Sequence, residues 1–298
     1  MTGNVCEFVN GILESPALGR LFRTPALGTR ADPDSYTGWE FENAEHALTC
    51  FKPNDGIEDK FILDVGCGFG GKSIYYALHG ARHVTAIDLD EMRIGAAREY
   101  AAKKHVSNIR FDIQDAASLR FDNEQFDLVI FSDSFEHVND PAAVLRECNR
   151  VLRKGGTVNI MFPPYNSPWG AHLFAYIRIP WAQLLFREED LVRTWKRGFE
   201  AELEKGATVY SRQNIESIRK AATVSDLAHL NRMSIQRFER ILQESGFSIR
   251  FCRFHTPGNL FHSLASSSIC REYLVTRVVT VLEKQGEIRT DARTMANI

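Results

Sequence analysis

The chain has 298 residues, 44% of them apolar and 25% charged, with a formal net charge of −2. This is the balance of an ordinary soluble globular protein, long enough for one α/β domain with additions. It gives no bulk electrostatic pull toward nucleic acid or an anionic membrane. The six cysteines, at 6, 50, 67, 148, 252 and 270, form no C-x-x-C pair. That argues against a zinc ribbon or a disulfide framework and suits a reducing, cytoplasmic compartment. The first residues, "MTGNVCEFVNGILESP", lack the basic start and apolar core of a signal peptide. The most apolar long stretch, 169–186, is interrupted by His172, Arg178 and Pro180 and does not read as a membrane span.

In chain order, residues 1–55 are rich in Pro, Gly and aromatics and read as an N-terminal arm or cap. Within it, Tyr36 and Trp39 are candidate lid residues. "KFILDVG" (60–66) is a short apolar run ending in glycine, a buried first strand. "KSIYYALHG" (72–80) is helical and stops at Gly80. "HVTAIDLD" (83–90) is a second strand, after which Asp90 caps a helix that places Ile94, Ala97 and Ala101 on one face. Strands follow at 109–115 and 126–133, the latter apolar through its middle and therefore central. Residues 140–156 predict a helix closed by Gly-Gly, and 157–163 a fifth strand. Residues 165–235 show no strand pattern and read as a helical insertion, with a charged surface helix inside 186–206. A helix at 234–246 and strands at 247–254 and 272–284 complete the pattern. Strands alternating with helices imply a mainly parallel sheet covered on both faces. The divisions are 1–55 (arm), 56–164 (cofactor-binding core), 165–235 (insertion) and 236–298 (completion of the sheet).

The stretch "DVGCGFGG" fits two glycine patterns. Gly66, Gly68 and Gly71 spell the dinucleotide fingerprint, whereas Asp64, Gly66, Gly68 and Gly70 spell D-x-G-x-G-x-G. Both expect an acid after the second strand, which Asp88 supplies. Asp64 decides between them. A carboxylate there repels a pyrophosphate and welcomes a cationic ligand end, which disfavours a nicotinamide oxidoreductase.

From Phe61 to about Phe162 the chain resembles the core of class I S-adenosylmethionine-dependent methyltransferases. The resemblance rests on "ILDVGCGFG", "VTAIDLD", "QDAASLRF", "FDLVIFSDSFEHVNDP" and "VLRKGGTVNIMFP", in that order. It implies a Rossmann-like, doubly wound, mainly parallel seven-stranded sheet, with an N-terminal arm and a helical insertion after strand five. It also implies a site for S-adenosylmethionine. Asp64, Gly66, Cys67, Gly68 and Gly70 would hold the methionine end, Asp88 the ribose, Asp115 with Ala116 the adenine, and the Ser132 carbonyl the ammonium, with Leu89 a further cofactor-binding position.

Asp133, Glu136 and His137 form D-x-x-E-H, and a helical turn would put the three on one face. The spacing resembles E-x-x-E-H of plant small-RNA 2′-O-methyltransferases and of ubiquinone-pathway O-methyltransferases. Those use a further histidine after the fifth strand, where this chain has His172. Two readings stay open. One is a site for a divalent cation (Mg2+, Mn2+, Fe2+ or Zn2+) that activates a hydroxyl, with Asp133, Glu136, His137 and His172 as ligands. The other is a metal-free turn in which Glu136 ties the backbone and His137 or His172 serves as general base. The insertion's aromatics, Tyr165, Trp169, Phe174, Tyr176, Trp181 and Phe186, suit a flat or lipid-like acceptor or simply bury the insertion. The resemblance therefore implies O-methylation of a small-molecule hydroxyl. The alternatives are an RNA 2′-O-methyltransferase, or a cyclase or binding protein that uses the same fold without methyl transfer.

Overall fold

The computed structural model describes residues 5–13, 32–51, 56–206 and 209–285. Of the arm expected over 1–55, residues 1–4, 14–31 and 52–55 lie outside the described residues, as do 207–208 of the insertion and 286–298 of the final segment.

The elements run α1 (Val5–Leu13), α2 (Pro33–Thr49), β1 (Phe61–Val65), α3 (Gly71–Leu78), β2 (His83–Asp88), α4 (Glu91–Lys103), β3 (Ile109–Ile113) and β4 (Phe126–Ser132). They continue with α5 (Pro141–Val151), β5 (Leu152–Phe162), α6 (Ala182–Leu185), α7 (Glu188–Glu204), α8 (Arg212–Lys220) and α9 (Val224–Ala228). Last come α10 (Ile235–Gln243), β6 (Phe247–His255), α11 (Asn259–Leu264), α12 (Ser268–Leu274) and β7 (Arg277–Lys284).

Among the described residues the chain forms two compact units. The core unit spans Thr37–Phe162, Gln236–His255 and Arg277–Ile298, and the second unit Met1–Tyr36, Pro163–Ile235 and Thr256–Thr276.

The core unit is a seven-stranded sheet in the order β3-β2-β1-β4-β5-β7-β6. β1 to β5 pair in parallel, and β7 runs antiparallel to both β5 and β6. The mainly parallel α/β sheet expected from the sequence is therefore present. β4 is buried at every position except Asp127, as its unbroken apolar run requires of a strand covered on both faces. Ile62 and Leu63 of β1 and Leu128, Val129 and Ile130 of β4 have no exposed surface. The strand order reverses between β1 and β4, and in open sheets of this kind the crevice at such a reversal is where ligands bind.

Local signals explain the helices. The Asp90 carboxylate caps α4 by accepting from the Met92 and Arg93 N–H groups at 3.0 and 3.2 Å, and Ile94, Ala97 and Ala101 form its buried face. Asp140 caps α5 ahead of Pro141.

Two element expectations differ from the structure. The helix expected over 140–156 stops at Val151, because Leu152 already pairs with Phe126. Only Asp127 lies opposite the segment 153–156 before Thr157 pairs with Leu128, so Arg153 to Gly156 bulge out. The Arg153 guanidinium holds the bulge, binding the Asp127 carboxylate at 2.6 Å and lying 4.9 Å over the Phe61 ring. The strand expected over 272–284 begins only at Arg277. Residues 268–274 are helical, and Glu272 there is buried, accepting from the Ile235 N–H and the Asn166 amide, each at 3.2 Å.

The second unit is helical around its own apolar cluster. The segment expected as a charged surface helix is its spine. α7 buries Leu191, Val192, Trp195 and Phe199, a stripe at helical spacing beneath charged flanks. No described helix is long and apolar enough to cross a membrane.

Candidate functional site

The glycine loop joins β1 to α3 at the strand-order reversal. Gly66 has φ +70, and a Cβ there would lie 2.5 Å from the Ser134 Cβ, so both conformation and space demand glycine. The Gly66 and Cys67 N–H groups donate to the Ile87 carbonyl, which ties the loop to β2. Across the reversal, the Ser134 hydroxyl donates to the Val65 carbonyl at 2.6 Å and fixes the loop after β4 against the end of β1.

Asp64, near the end of β1, is 3% exposed, and its carboxylate accepts from the Ser73 hydroxyl at 2.5 Å. Burial raises its pKa to about 6 against the opposing pull of the Ser73 hydrogen bond and Lys72. Asp88, at the end of β2, accepts from the Gly68 and Asp90 N–H groups, both at 2.9 Å, which fixes the carboxylate beside the loop. Burial pushes the Cys67 thiol well up, and the charges of Asp88, Asp64 and Glu40 push it further. Three acids thus surround the loop. Leu89 is 64% exposed immediately after Asp88, and Ile113 at the end of β3, the register partner of Asp88, is also exposed. Apolar side chains left open beside a fixed carboxylate suit a ligand with a flat base next to a hydroxylated sugar.

The remaining expected positions differ in character. Ser132 ends β4 buried, with its hydroxyl accepting and donating nothing among the described residues. Ala116 is buried, whereas Asp115 is exposed and its carboxylate accepts the Ala117 N–H at 2.9 Å, a turn-capping contact. The loop after β4 is helical only over Phe135–His137. Asp133 precedes that turn with φ +55, so Asp133, Glu136 and His137 do not share one helical face. Glu136 is buried and its carboxylate lies 3.8 Å from the half-buried His137 ring Nε2. Burial holds the Glu136 pKa well above the ordinary carboxylate value, with the Asp133 charge adding to the rise and Lys72 and Arg277 opposing it. Arg277 stands 3.9 Å from Asp133. His172 belongs to the second unit, has φ +53 and packs edge-on to Phe174.

Among the insertion's aromatics, Tyr165, Tyr176 and Phe186 pack against the cluster built on α7. Tyr176 lies edge-on to Trp195 at 4.8 Å and its hydroxyl bonds the Glu202 carboxylate. These three bury the insertion on itself. Trp181 donates from its ring to the Tyr273 carbonyl at 2.9 Å.

Sequence reasoning missed Ser73 and Ser134, which tether the loop, and Glu40 of α2. The Glu40 carboxylate accepts the Gly71 N–H at 3.2 Å. Its helix also carries Asp34, Glu42 and Glu45, so nothing local marks this one. Gly71 belongs only to the dinucleotide pattern in the sequence, yet the structure gives it a packing role. A Cβ there would lie 2.2 Å from the Thr37 carbonyl oxygen, so α2 seats directly on it. A cleft of about 530 Å3 among the described residues opens at the other end of the strands, lined by Lys60, Phe61, Arg82, Arg153, Thr157 and Arg250. It includes none of the candidate cofactor or metal residues.

Residues 63–160 match the family described as "Methyltransferase domain". A ubiquinone biosynthesis O-methyltransferase of Coxiella burnetii is 33% identical over 121 residues, 41% of this chain and 50% of that protein. A protein of the same name from Aromatoleum aromaticum is 37% identical over 127 residues, 42% and 52% of the two chains. The chain thus spans about half the length of the curated relatives it matches. Among solved structures, an S-adenosylmethionine dependent methyltransferase from Mesorhizobium loti aligns with a TM-score of 0.50 at 18% identity, over 85% of this chain and 100% of that one. Loop, sheet order and sequence match agree: residues 63–160 are similar to a methyltransferase domain, and the sheet has the fold of S-adenosylmethionine-dependent methyltransferases.

Proposed function

We propose that the protein transfers the methyl group of S-adenosylmethionine to a hydroxyl of a small aromatic or lipid-like acceptor, in the cytoplasm. The observation that carries the cofactor reading is the buried Asp64 beside Asp88 at the reversal point of the sheet, an arrangement that attracts a cationic ligand end. The names of the curated relatives support O-methylation. When bound, S-adenosylmethionine supplies an electrophilic methyl on a sulfonium whose departure leaves a neutral thioether.

The chain's own residues bind, orient and accept a proton. Asp64 and the Gly66–Gly70 loop take the methionine end, and Ser132 offers its carbonyl to the ammonium. Asp88 takes the ribose hydroxyls, with Leu89 covering the base. Ala116 flanks the adenine, and Asp115 reaches its amino group only by leaving its turn. His137 receives the acceptor's hydroxyl proton, and the neighbouring Glu136 carboxylate steadies the resulting imidazolium. An acid–acid–imidazole set in one loop is also a donor set for a divalent cation. Asp133, Glu136 and His137 would hold it, with His172 as the additional histidine that the sequence pattern supplies, and it would lower the hydroxyl pKa.

Incubation with methyl-labelled S-adenosylmethionine and a panel of phenols, lipids, sugars and RNA, with and without a chelator, tests this. Label on a phenol or lipid hydroxyl is the expected result. Label on RNA instead, or tight cofactor binding with no transfer to any acceptor, contradicts it. Activity lost with chelator and with His172→Ala assigns the metal. Activity indifferent to both leaves His137 as a direct base.

A further inference from the structure

Cofactor sites of this fold are assembled from the sheet side, by loops that follow the strands. In this chain a helix outside the sheet also reaches the glycine loop. α2 is seated so closely that a Cβ on Gly71 would lie 2.2 Å from the Thr37 carbonyl, 2.6 Å from the Glu40 Cβ and 2.8 Å from the Phe41 nitrogen. The Thr37 hydroxyl donates to the Phe69 carbonyl at 3.4 Å. The Glu40 carboxylate accepts the Gly71 N–H at 3.2 Å, and its other oxygen lies 3.5 Å from where a Cβ on Gly68 would stand. Glu40 is 8% exposed. It shares the loop with Asp64 and Asp88, and the cations facing it are Lys72 of α3 and Arg93 of α4.

We propose that Glu40 is a further cofactor-binding residue: with Asp64 it forms a buried two-carboxylate subsite for the cationic methionine end of the ligand, and α2 is thereby part of the binding site. This rests on the S-adenosylmethionine reading of the loop. A buried carboxylate is retained in its charged form only with a compensating charge. Without ligand, burial raises the Glu40 pKa to about 7 and the Asp64 pKa to about 6, despite Lys72, Arg93 and the Gly71 N–H. A ligand carrying an ammonium and a sulfonium stabilises both carboxylates, so binding drives the Glu40 proton into the buffer and strengthens as pH rises through about 7.

The test is calorimetric titration of the full chain with S-adenosylmethionine at about pH 6 and about pH 8, in buffers of different ionisation enthalpy. Wild type should bind about twentyfold more weakly at the lower pH, about tenfold from Glu40 and about twofold from Asp64, with proton release on binding. Glu40→Gln keeps the side-chain shape. It should weaken binding about tenfold at the higher pH and leave only the roughly twofold pH dependence that Asp64 supplies. Glu40→Asp, which keeps the charge, should keep the pH dependence. Wild-type affinity and pH profile in Glu40→Gln, or a wild-type affinity flat over this range, overturns the role of Glu40 and leaves the cofactor reading standing. No binding of S-adenosylmethionine by wild type overturns both.

Discussion

At the residue scale, the site depends on where charge is buried. Asp64 holds a carboxylate at 3% exposure with the Ser73 hydroxyl as partner. Asp64→Asn retains an acceptor for that hydroxyl and removes only the charge. It should weaken S-adenosylmethionine binding by about tenfold or more while leaving the fold intact, read by calorimetry beside circular dichroism. Unchanged affinity would contradict the role of Asp64. The raised pKa values also have a consequence without ligand. Glu40 binds its proton more tightly folded than unfolded, so its contribution to stability is full at acid pH and declines as pH rises toward about 7. Glu40→Gln does not titrate, so wild type should lose stability relative to it between about pH 5 and about pH 8 in denaturant unfolding. A constant gap over that range would refute the assignment. Asp64, Asp88 and the loop glycines were legible in the sequence because motif order and charge logic are local. Glu40, Ser73 and Ser134 were not, since their importance comes from contacts with residues 31, 9 and 69 positions away.

At the element scale, the seven strands and the helices between them follow from apolar runs and caps that the sequence displays. The differences arise where tertiary contacts outweigh local pattern. The helix before β5 ends early because Leu152 pairs with Phe126 and Arg153 is drawn to Asp127. The β-branched run at the end of the chain is divided because Glu272 serves as a buried acceptor on a helix turn. The charged spacing of α7 concealed a core stripe, since Leu191, Trp195 and Phe199 repeat with helical period among many polar residues. The seating of α2 gives a prediction at this scale. Gly71→Ala pushes a methyl against the Thr37 backbone carbonyl, so either α2 or the start of α3 must shift, at a cost of about 1–3 kcal/mol. Denaturant unfolding should show that loss, and cofactor affinity should fall with it. Wild-type stability in Gly71→Ala would contradict the close packing of α2 on the loop.

At the scale of the whole molecule, the sheet reverses its strand order between β1 and β4 and gathers the acids and glycines at that point. The second unit, built around α7, carries all six aromatics that the sequence pattern offers for an acceptor. The same glycines suit a dinucleotide; the proposed role of the buried acids is to select a cationic end over a pyrophosphate. Calorimetric titration of the full chain with S-adenosylmethionine and, in parallel, with NAD tests that choice directly. S-adenosylmethionine should bind saturably at one site and NAD should give no measurable heat of binding; binding of NAD without binding of S-adenosylmethionine would overturn the cofactor assignment.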